Sequence, residues 1–351
     1  MKVMSVVGAR PQFVKLSPID RQFRESGIEH VIVHTGQHYD PMLSQVFFDG
    51  LGISAPDVHL AVGSGSHGHQ TGAILSGMDR VLEDYTPDWV LVYGDTNSTV
   101  AGALSAVKMH FPVAHLEAGL RSFNRRMPEE HNRVLTDHAA DLLLAPTVTA
   151  MSHLAREGLS NRSVLVGDVM VDVLHRARDE ARALGLVALS GSEPGSYYAA
   201  TIHRAENTDN PARLRAIVAA LQALDKPVML FAHPRFLSKA SALDLDLERG
   251  SLKIHEPLSY SELIGAVLGS AGVITDSGGL QKEAFLLRVP CTTLRTETEW
   301  SETVDLGWNQ LVQDLDTLAA VVQRPAPVDT DATPYGEGAA AAQVVSALRS
   351  A

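Results

Sequence analysis

The chain has 351 residues, of which 45% are hydrophobic, and its 41 acidic and 29 basic side chains give a formal net charge of −12. This negative charge argues against a nucleic-acid-binding surface, although clustered arginines can still bind one phosphorylated ligand. Single hydrophobic cores stop growing near ~250–300 residues, so the length favours two domains with a cleft between them.

The cysteine content and the N-terminus indicate a cytoplasmic protein. The single cysteine, Cys291, excludes an intramolecular disulfide and a cysteine-based metal cluster. The N-terminal apolar run is too short for a signal peptide, and no stretch approaches the ~20 apolar residues of a membrane span. We therefore expect neither a membrane nor a nucleic acid as a partner.

Short apolar runs alternate with longer helical patterns, which is typical of parallel βαβ units. The first set of predicted strands covers residues 3–7, 31–34, 89–93, 113–116, 142–145 and 164–166. A second set follows a Gly/Ser/Pro stretch and covers residues 197–202, 228–231, 252–255, 273–275 and 291–294. The pattern predicts two doubly wound α/β domains, residues 1–167 and 168–337. An alanine-rich helix within 338–351 follows, which can pack on either domain; packing back on the N-terminal domain is one of the two options.

The turn after the first strand is a candidate anion site. Residues 8–15 leave the strand and open a helix, so backbone amides, Arg10 and Lys15 can face a ligand. A tight turn with two solvated cations explains the same residues, and both interpretations stay open at this point.

Three acidic residues of the first domain are candidates for chemistry. Glu117 directly follows a predicted strand, and Asp95 lies two residues after another. Ligands of open α/β sheets lie beyond the carboxyl ends of strands. Glu129 follows Pro128 at a predicted helix start, where an acid can equally serve to offset the helix dipole. Asp95 can likewise act only as a helix cap.

Residues 63–68, GSGSHG, match the letters of the dinucleotide-binding fingerprint. The true fingerprint lies between the first strand and helix of its unit, with an acid ~20 residues later at the end of the next strand. Here Asp84 and Asp88 precede the strand at 89–93. We therefore predict a loop before a helix, and no nicotinamide site.

The second domain has candidate ligand groups after three strands. His203 and Arg204 are candidates for phosphate binding or proton transfer, and His233 occupies the same kind of position. Within residues 276–283, Ser277, Gly278 and Gly279 lie at a predicted helix start, and the amides of this helix start can reach a diphosphate. Glu283 is suited to binding a ribose diol. Structural histidines and an ordinary glycine-rich helix start are the alternatives.

Taken together, the motifs resemble the non-hydrolysing UDP-N-acetylglucosamine 2-epimerase family nearly from end to end. The blocks, in the family's order and spacing, are GARP at 8–11, TGQH at 35–38, GDT at 94–96, HLEAGLR at 115–121, PEE at 128–130 with Asn132 and Arg133, His203 with Arg204, EP at 256–257 and DSGG at 276–279. The resemblance implies two Rossmann-like domains of the glycosyltransferase-B type with the active site in the cleft between them. It also implies a homodimer and no metal, nicotinamide or other cofactor.

The resemblance also implies roles for individual residues. The catalytic candidates are Asp95, Glu117, Glu129 and His203. The substrate and UDP contacts are Arg10, Lys15, Arg133, Arg204, His233, Ser277, Gly278, Gly279 and Glu283. Gln37, His38 and Gln70 resemble positions at which some bacterial members bind a second UDP-N-acetylglucosamine, although the loop 63–69 departs from those members.

Two departures from the family pattern leave the sugar open. Gln12 stands where many members have an acid, and residues 298–302, TEWSE, replace the more usual TERPE. The first departure lies beside the predicted phosphate turn and the second near the sugar. Neither affects the expected reaction type.

The implied activity interconverts UDP-N-acetylglucosamine and UDP-N-acetylmannosamine by loss and re-addition of UDP, in polysaccharide biosynthesis. One alternative is a 2-epimerase for another UDP-sugar, such as a 2,3-diacetamido uronic acid, which would use a cation near Arg295 or near Arg125 and Arg126. Another is a UDP-dependent glycosyltransferase of the same fold, against which the pair Glu117 and Glu129 argues. A sensor without catalysis is disfavoured because all the acid and base candidates are present.

Overall fold

The computed structural model describes residues 1–37, 51–187 and 192–351. They form two compact units, one of Met1–Val173 with Thr333–Ala351 and one of Leu174–Ala332. No helix in these ranges is long and apolar enough to cross a membrane.

The first unit is built on a parallel sheet with seven strands in the described residues, in the order β3-β2-β1-β4-β5-β6-β7. The strands are β1 (Lys2–Val7), β2 (Glu29–His34), β3 (Val58–His59), β4 (Trp89–Tyr93), β5 (Val113–Leu116), β6 (Leu142–Ala145) and β7 (Ser163–Leu165). The helices that follow them in this unit are α1 (Arg10–Glu25), α2 (His67–Tyr85), α3 (Asn97–Lys108), α4 (Pro128–Ala139) and α5 (Val148–Arg156), with a 3₁₀ turn at Ser160–Arg162. The next helix, α6 (Val169–Ala183), begins in the first unit and continues into the second.

Both faces of this sheet are buried, which explains why its strands read as continuous apolar runs. In β1, Val3 and Val7 belong to one hydrophobic core, and Met4 and Val6 belong to the core on the opposite face. This alternation is the two-residue period of a strand. From β1, the strands β2 and β3 are added on one side of the sheet, and β4 to β7 are added on the other. The loops after β1 and β4 therefore border the position where such sheets bind ligands.

The second unit repeats the same topology, with the described strands in the order β10-β9-β8-β11-β12-β13, all parallel. The strands are β8 (Tyr198–Thr201), β9 (Val228–Phe231), β10 (Leu252–His255), β11 (Gly272–Thr275), β12 (Cys291–Thr293) and β13 (Asn309–Leu311). The helices are α7 (Ala205–Thr208), α8 (Pro211–Gln222), α9 (Pro234–Ser241), α10 (Tyr260–Leu268), α11 (Gly278–Leu286), α12 (Ser301–Asp305) and α13 (Leu318–Val322), with a 3₁₀ turn at Leu315–Thr317. Here the corresponding crossover lies between β8 and β11.

The last helix, α14 (Ala340–Ser350), belongs to the first unit and packs on α1. Its start is fixed by the buried carboxylate of Asp172, which accepts hydrogen bonds from the amides of Ala340 (3.1 Å) and Ala341 (3.0 Å). A carboxylate at this position also offsets the helix dipole.

Every strand predicted from the sequence is present, and no strand end differs from its predicted position by more than two residues. The edge strands β3 and β13 were not predicted because they are too short to give an apolar run. Residues 63–66 form a loop before α2, as predicted, and the Ser66 hydroxyl caps this helix by accepting from the amide of His69.

Candidate active site

In the first unit, two predicted site residues form a half-buried ion pair. Glu117 follows β5, Lys15 lies on α1 after β1, and their side chains are only 17% and 15% exposed. Burial alone would lower the pKa of Lys15, but the Glu117 carboxylate, with Asp95 and Asp168, outweighs burial and raises it. Lys15 therefore supplies a lasting positive charge beside Glu117.

The backbone of Glu117 has a φ of 76°, a left-handed conformation that costs a non-glycine residue roughly 1–3 kcal/mol. The conformation is held because the amides of Glu117 and Ala118 both donate to the Leu144 carbonyl, at 3.1 and 3.2 Å. The Glu117 carboxylate lies against Gly94, where a Cβ atom would come within 3.2 Å of Oε2. Glycine at 94 thus lets the carboxylate approach the end of β4.

A second ion pair holds Asp95 at the end of β4. The Arg133 guanidinium on α4 contacts the Asp95 carboxylate, and its other terminal nitrogen lies 3.2 Å from Glu130 Oε2. The Asn132 amide donates to the Asp95 carbonyl at 2.9 Å. Asp95 is therefore positioned through both its side chain and its backbone.

The adjacent acids Glu129 and Glu130 have different environments. Glu130 is 6% exposed and accepts from the Ser122 amide and hydroxyl (both 2.8 Å) and from the Phe123 amide (3.0 Å). Burial would raise the pKa of Glu130, but these hydrogen bonds and Arg133 lower it. Glu129 is half-buried, and among the described residues its carboxylate makes no hydrogen bond or ion pair. Glu130 thus anchors the loop, which leaves Glu129 as the candidate for chemistry.

Gln37 and Gln70 are buried and tied into the first unit. Gln37 Oε1 accepts from the amide (3.0 Å) and hydroxyl (2.7 Å) of Ser98 at the start of α3. Gln70 Nε2 donates to the carbonyls of Gln37 (3.1 Å) and Gly63 (3.0 Å). These bonds join the loop before α2 to α3. Binding of a second nucleotide-sugar here stays a prediction, and His38 lies outside the described residues.

In the second unit, several predicted residues line one pocket of about 370 Å³. They are His203, His233, Ser277, Gly279 and Glu283. Apolar side chains, including Phe231 and Leu263, complete the lining. Gly278 adjoins this pocket at the start of α11, whereas Arg204 lines a neighbouring pocket of about 280 Å³ with Arg213 and Arg295.

Asp276, which sequence reasoning did not assign, organises the turn that carries His203. Its fully buried carboxylate accepts from the amides of His203 (3.1 Å) and Arg204 (3.0 Å) and from the Asn207 side chain (3.0 Å). It also lies 3.1 Å from His203 Nδ1, which orients the imidazole. Burial would raise the pKa of Asp276, but His203 and the other donors lower it. Its place directly after β11 was the signal that could have identified it.

Glu283 lies inside the pocket on α11, where the Tyr260 hydroxyl donates to its Oε1 at 2.8 Å. Burial raises the pKa of Glu283, and Tyr260 and Lys282 offset this only in part. A poorly hydrated carboxylate of this kind is a good acceptor for ligand hydroxyls. Tyr260 was not predicted, because its partner is more than twenty residues away in the sequence.

His233 has a structural role in addition to lining the pocket. Its Nδ1 accepts from the Arg235 amide at 3.1 Å and so caps α9. Its ring centroid is 6.1 Å from that of His203. The remaining ring nitrogen of each histidine is therefore the part that can meet a ligand.

Comparisons with known proteins bear on the meaning of these two sets of residues. The family model for UDP-N-acetylglucosamine 2-epimerase matches residues 21–349. The chain belongs to this family. It is 42% identical to a UDP-N-acetylglucosamine 2-epimerase of Methanocaldococcus jannaschii, over 90% of this chain and 89% of the relative. It is 44% identical to a UDP-2,3-diacetamido-2,3-dideoxy-D-glucuronate 2-epimerase of Pseudomonas aeruginosa, over 99% of both chains.

A solved structure of the M. jannaschii UDP-N-acetylglucosamine 2-epimerase, in complex with UDP-N-acetylglucosamine and UDP, is also similar. It matches with a TM-score of 0.80 and 39% identity over 100% of both chains. The resemblance drawn from the motifs is thereby confirmed. So is the predicted fold class, α/β with two Rossmann-like domains of the glycosyltransferase-B type.

The departure from the family pattern at Gln12 has a structural explanation. Gln12 Oε1 accepts from the amides of Gly8 (2.8 Å) and Ala9 (3.1 Å), while its Nε2 donates to the Tyr93 carbonyl (2.9 Å) and the Thr99 hydroxyl (3.1 Å). A carboxylate at this position could accept the bonds from the amides of Gly8 and Ala9, but it could not donate to Tyr93 and Thr99. The two amides before α1 are therefore occupied, which leaves Arg10 and Lys15 as this turn's candidates for anion binding.

The departure at residues 298–302 is also built into the second unit. The Thr298 hydroxyl donates to Gln281 Oε1 at 2.6 Å. The Lys282 ammonium lies 4.3 Å from the centroid of the Trp300 ring, within the range of a cation–π contact. Trp300 thus packs on α11, the helix that carries Glu283.

Proposed function

We propose that the protein is a non-hydrolysing 2-epimerase that interconverts UDP-N-acetylglucosamine and UDP-N-acetylmannosamine. The observation that carries the proposal is the set of half-buried, charge-paired carboxylates in a chain of this family. Lys15 pairs with Glu117 and Arg133 with Asp95, both at the carboxyl edge of the first sheet. Paired carboxylates and cations are what removal of a proton beside a departing diphosphate requires.

The chemistry explains this combination. The hydrogen on carbon 2 of a hexosamine is barely acidic, but loss of UDP from carbon 1 builds positive charge next to it. In the proposed step a base takes the proton, the C1–O electron pair leaves with UDP, and a C1–C2 double bond forms. Return of a proton to the opposite face and re-addition of UDP give the epimer. Each acid or base contributes typically ~10²–10⁴ in rate.

We assign the proton-transfer and positioning roles to Asp95, Glu117, Glu129 and His203. Charged partners that position three of these residues support the assignments. Lys15 contacts Glu117, the Arg133 guanidinium contacts Asp95, and the Asp276 carboxylate contacts His203. Which carboxylate acts as acid and which as base is left open in the proposal.

We assign UDP binding to the second unit. Ser277, Gly278 and Gly279 open α11, whose N-terminal amides and dipole favour a diphosphate. Glu283, held by Tyr260 inside the pocket, would accept hydrogen bonds from the ribose hydroxyls. His233 and Arg204 are the further candidates, with Arg10 and Lys15 in the first unit.

A 2-epimerase acting on a UDP-linked uronic acid is the second candidate. The relative that acts on a diacetamido uronate is 44% identical. In addition, Arg213 donates to two neutral oxygens, of Asn207 (3.3 Å) and Gln313 (2.6 Å), inside the pocket that it lines with Arg204 and Arg295. A sugar carboxylate would be a suitable partner for a guanidinium so placed.

The deciding experiment is incubation with each UDP-sugar, followed by NMR of the sugar products. The proposal predicts UDP-N-acetylmannosamine from UDP-N-acetylglucosamine. Turnover of the uronate alone would favour the second candidate. Transfer of the sugar to an acceptor without change at carbon 2 would indicate a glycosyltransferase, and no change in either substrate would contradict epimerisation.

The proposal extends to the setting of the enzyme. We infer a cytoplasmic homodimer that supplies a nucleotide-sugar for polysaccharide biosynthesis, with regulation by a second nucleotide-sugar at Gln37 and Gln70. The motif resemblance supports the homodimer and the regulation, and the single cysteine supports the cytoplasmic setting. A hyperbolic rate curve in UDP-N-acetylmannosamine, without added UDP-N-acetylglucosamine, would contradict the regulation.

A further inference from the structure

We propose that His115 and Asp137 form a buried positioning pair that fixes Asp95 and Glu117 relative to each other. The inference rests on the proposed function, because it concerns the two carboxylates assigned to the chemistry. Neither His115 nor Asp137 is exposed, so the pair would act through the loops that it holds and not by touching substrate.

The His115 ring bridges two strand ends of the first sheet. It lies on β5, its Nδ1 is 2.6 Å from Asp137 Oδ1, and its Nε2 is 2.7 Å from the Gly94 carbonyl. The Gly94 carbonyl can only accept, so Nε2 donates to it, while Nδ1 meets the Asp137 carboxylate. Gly94 directly precedes Asp95, and the ring therefore sets the backbone from which the Asp95 side chain projects.

Asp137 holds the other loop. Its second oxygen accepts from the Gly119 amide at 3.0 Å, two residues after Glu117. The same oxygen is 2.7 Å from Arg121 Nη1. One carboxylate on α4 thus fixes the turn that carries Glu117 and, through His115, the turn that carries Asp95.

Arg121 connects this pair to a further carboxylate. Arg121 is 1% exposed and also makes a bidentate contact with Glu157, with both distances 2.8 Å. Burial would raise the pKa of Asp137, but His115 and Arg121 outweigh it and lower the pKa. The cluster thus pairs two basic side chains, His115 and Arg121, with two carboxylates, Asp137 and Glu157. Removal of one charge leaves the cluster unbalanced in a buried site.

A double-mutant cycle separates positioning from a purely structural role. In His115→Gln, the side-chain nitrogen can still donate to Gly94, but the oxygen faces the Asp137 carboxylate. In Asp137→Asn, the amide nitrogen can donate to His115 only if Nδ1 carries no hydrogen, and the negative charge beside Arg121 is lost. The double variant restores both hydrogen bonds, because the new amide nitrogen at position 137 can donate to the new amide oxygen at position 115. It also removes one acidic and one basic side chain.

The chain offers a matched control in a second buried histidine–aspartate pair. His30 Nδ1 is 2.8 Å from Asp20 Oδ1, its Nε2 is 2.8 Å from the Ser5 hydroxyl, and both residues are at most 5% exposed. His30 lies near the amino end of β2, away from the carboxyl edge. His30→Gln should lower the melting temperature and leave kcat of the folded enzyme unchanged.

The expected result is a fall in kcat of about tenfold or more in each single variant, with UDP affinity unchanged, and recovery to within about threefold in the double variant. Single variants that lose only melting temperature, like His30→Gln, would overturn the inference. If a single variant fails to fold, a folded double variant with kcat still depressed more than about tenfold overturns it as well. A wild-type chain without epimerase activity would instead overturn the proposed function, and this assignment with it.

Discussion

In the first unit, charged groups meet in pairs at the carboxyl edge of the sheet: lysine with glutamate, arginine with aspartate, and histidine with aspartate. In the second unit, a sheet of the same strand order ends in a largely apolar pocket. That pocket contains Glu283, whose pKa burial raises, and a turn held by Asp276. One topology thus supports two kinds of site. Under the proposed function, the side chains after the strands, and not the fold, suit the first unit mainly to proton transfer and the second mainly to nucleotide binding, with His203 as the second unit's candidate for proton transfer.

The largest effect on kcat is expected for Glu117→Gln, which removes the carboxylate of the lysine–glutamate pair in the first unit. The amide cannot exchange a proton and leaves Lys15 without its carboxylate, so we expect kcat to fall by ~10² or more while UDP still binds. Turnover by NMR and UDP affinity by calorimetry measure the two effects. Glu83→Gln, an exposed acid on α2, is the control. Near-normal kcat in the Glu117 variant would move the chemistry to Asp95 and His203.

The neighbouring residues Glu129 and Glu130 allow a candidate for chemistry to be compared with an acid that anchors a loop. Glu129→Gln should lower kcat by ~10² with little change in melting temperature, because its carboxylate has no protein partner among the described residues. Glu130→Gln should cost about 1–3 kcal/mol of unfolding free energy, because it weakens the bonds to Ser122, Phe123 and Arg133.

Melting curves and turnover on both variants separate these outcomes. If Glu129 only offsets the dipole of α4, its variant will keep wild-type turnover and lose ~1 kcal/mol or less. That result would remove Glu129 from the catalytic set and leave the role of Glu130 unaffected.

Glu283→Gln probes the second unit and should have the smallest effect. The neutral amide is a weaker acceptor for the ribose hydroxyls, so we expect UDP affinity to fall about tenfold, with kcat at saturating substrate nearly unchanged. Tyr260→Phe should give a smaller loss of the same kind. Calorimetry with UDP measures both, and Glu262→Gln, an exposed acid on α10, is the control. An unchanged affinity for UDP would exclude Glu283 from the site.

Much of this arrangement could be predicted from the sequence, because it depends on local patterns. Apolar runs mark the strands, and Asp95, Glu117 and His203 follow strands whose carboxyl ends form one edge of each sheet. Partners that are distant in the chain could not be predicted. Lys15 and Glu117 are 102 residues apart, and only the folded sheet brings them together.

The roles of Glu129 and Glu130 show the limit most clearly. Both acids follow Pro128, and their sequence contexts are nearly equivalent. The loop 121–127 distinguishes them, because it returns the amides of Ser122 and Phe123 to Glu130 alone. Asp276 and Tyr260 were not predicted for a similar reason, because each of them holds a residue that was itself predicted. Asp276 holds His203, and Tyr260 holds Glu283.

The most direct test of the account is the fate of the hydrogen at carbon 2. Epimerisation of UDP-N-acetylglucosamine in D₂O, followed by proton NMR, should give UDP-N-acetylmannosamine with deuterium at carbon 2, and prolonged reaction should release free UDP. Product that retains its original hydrogen at carbon 2 would exclude proton exchange with solvent there and contradict the proposed elimination and re-addition.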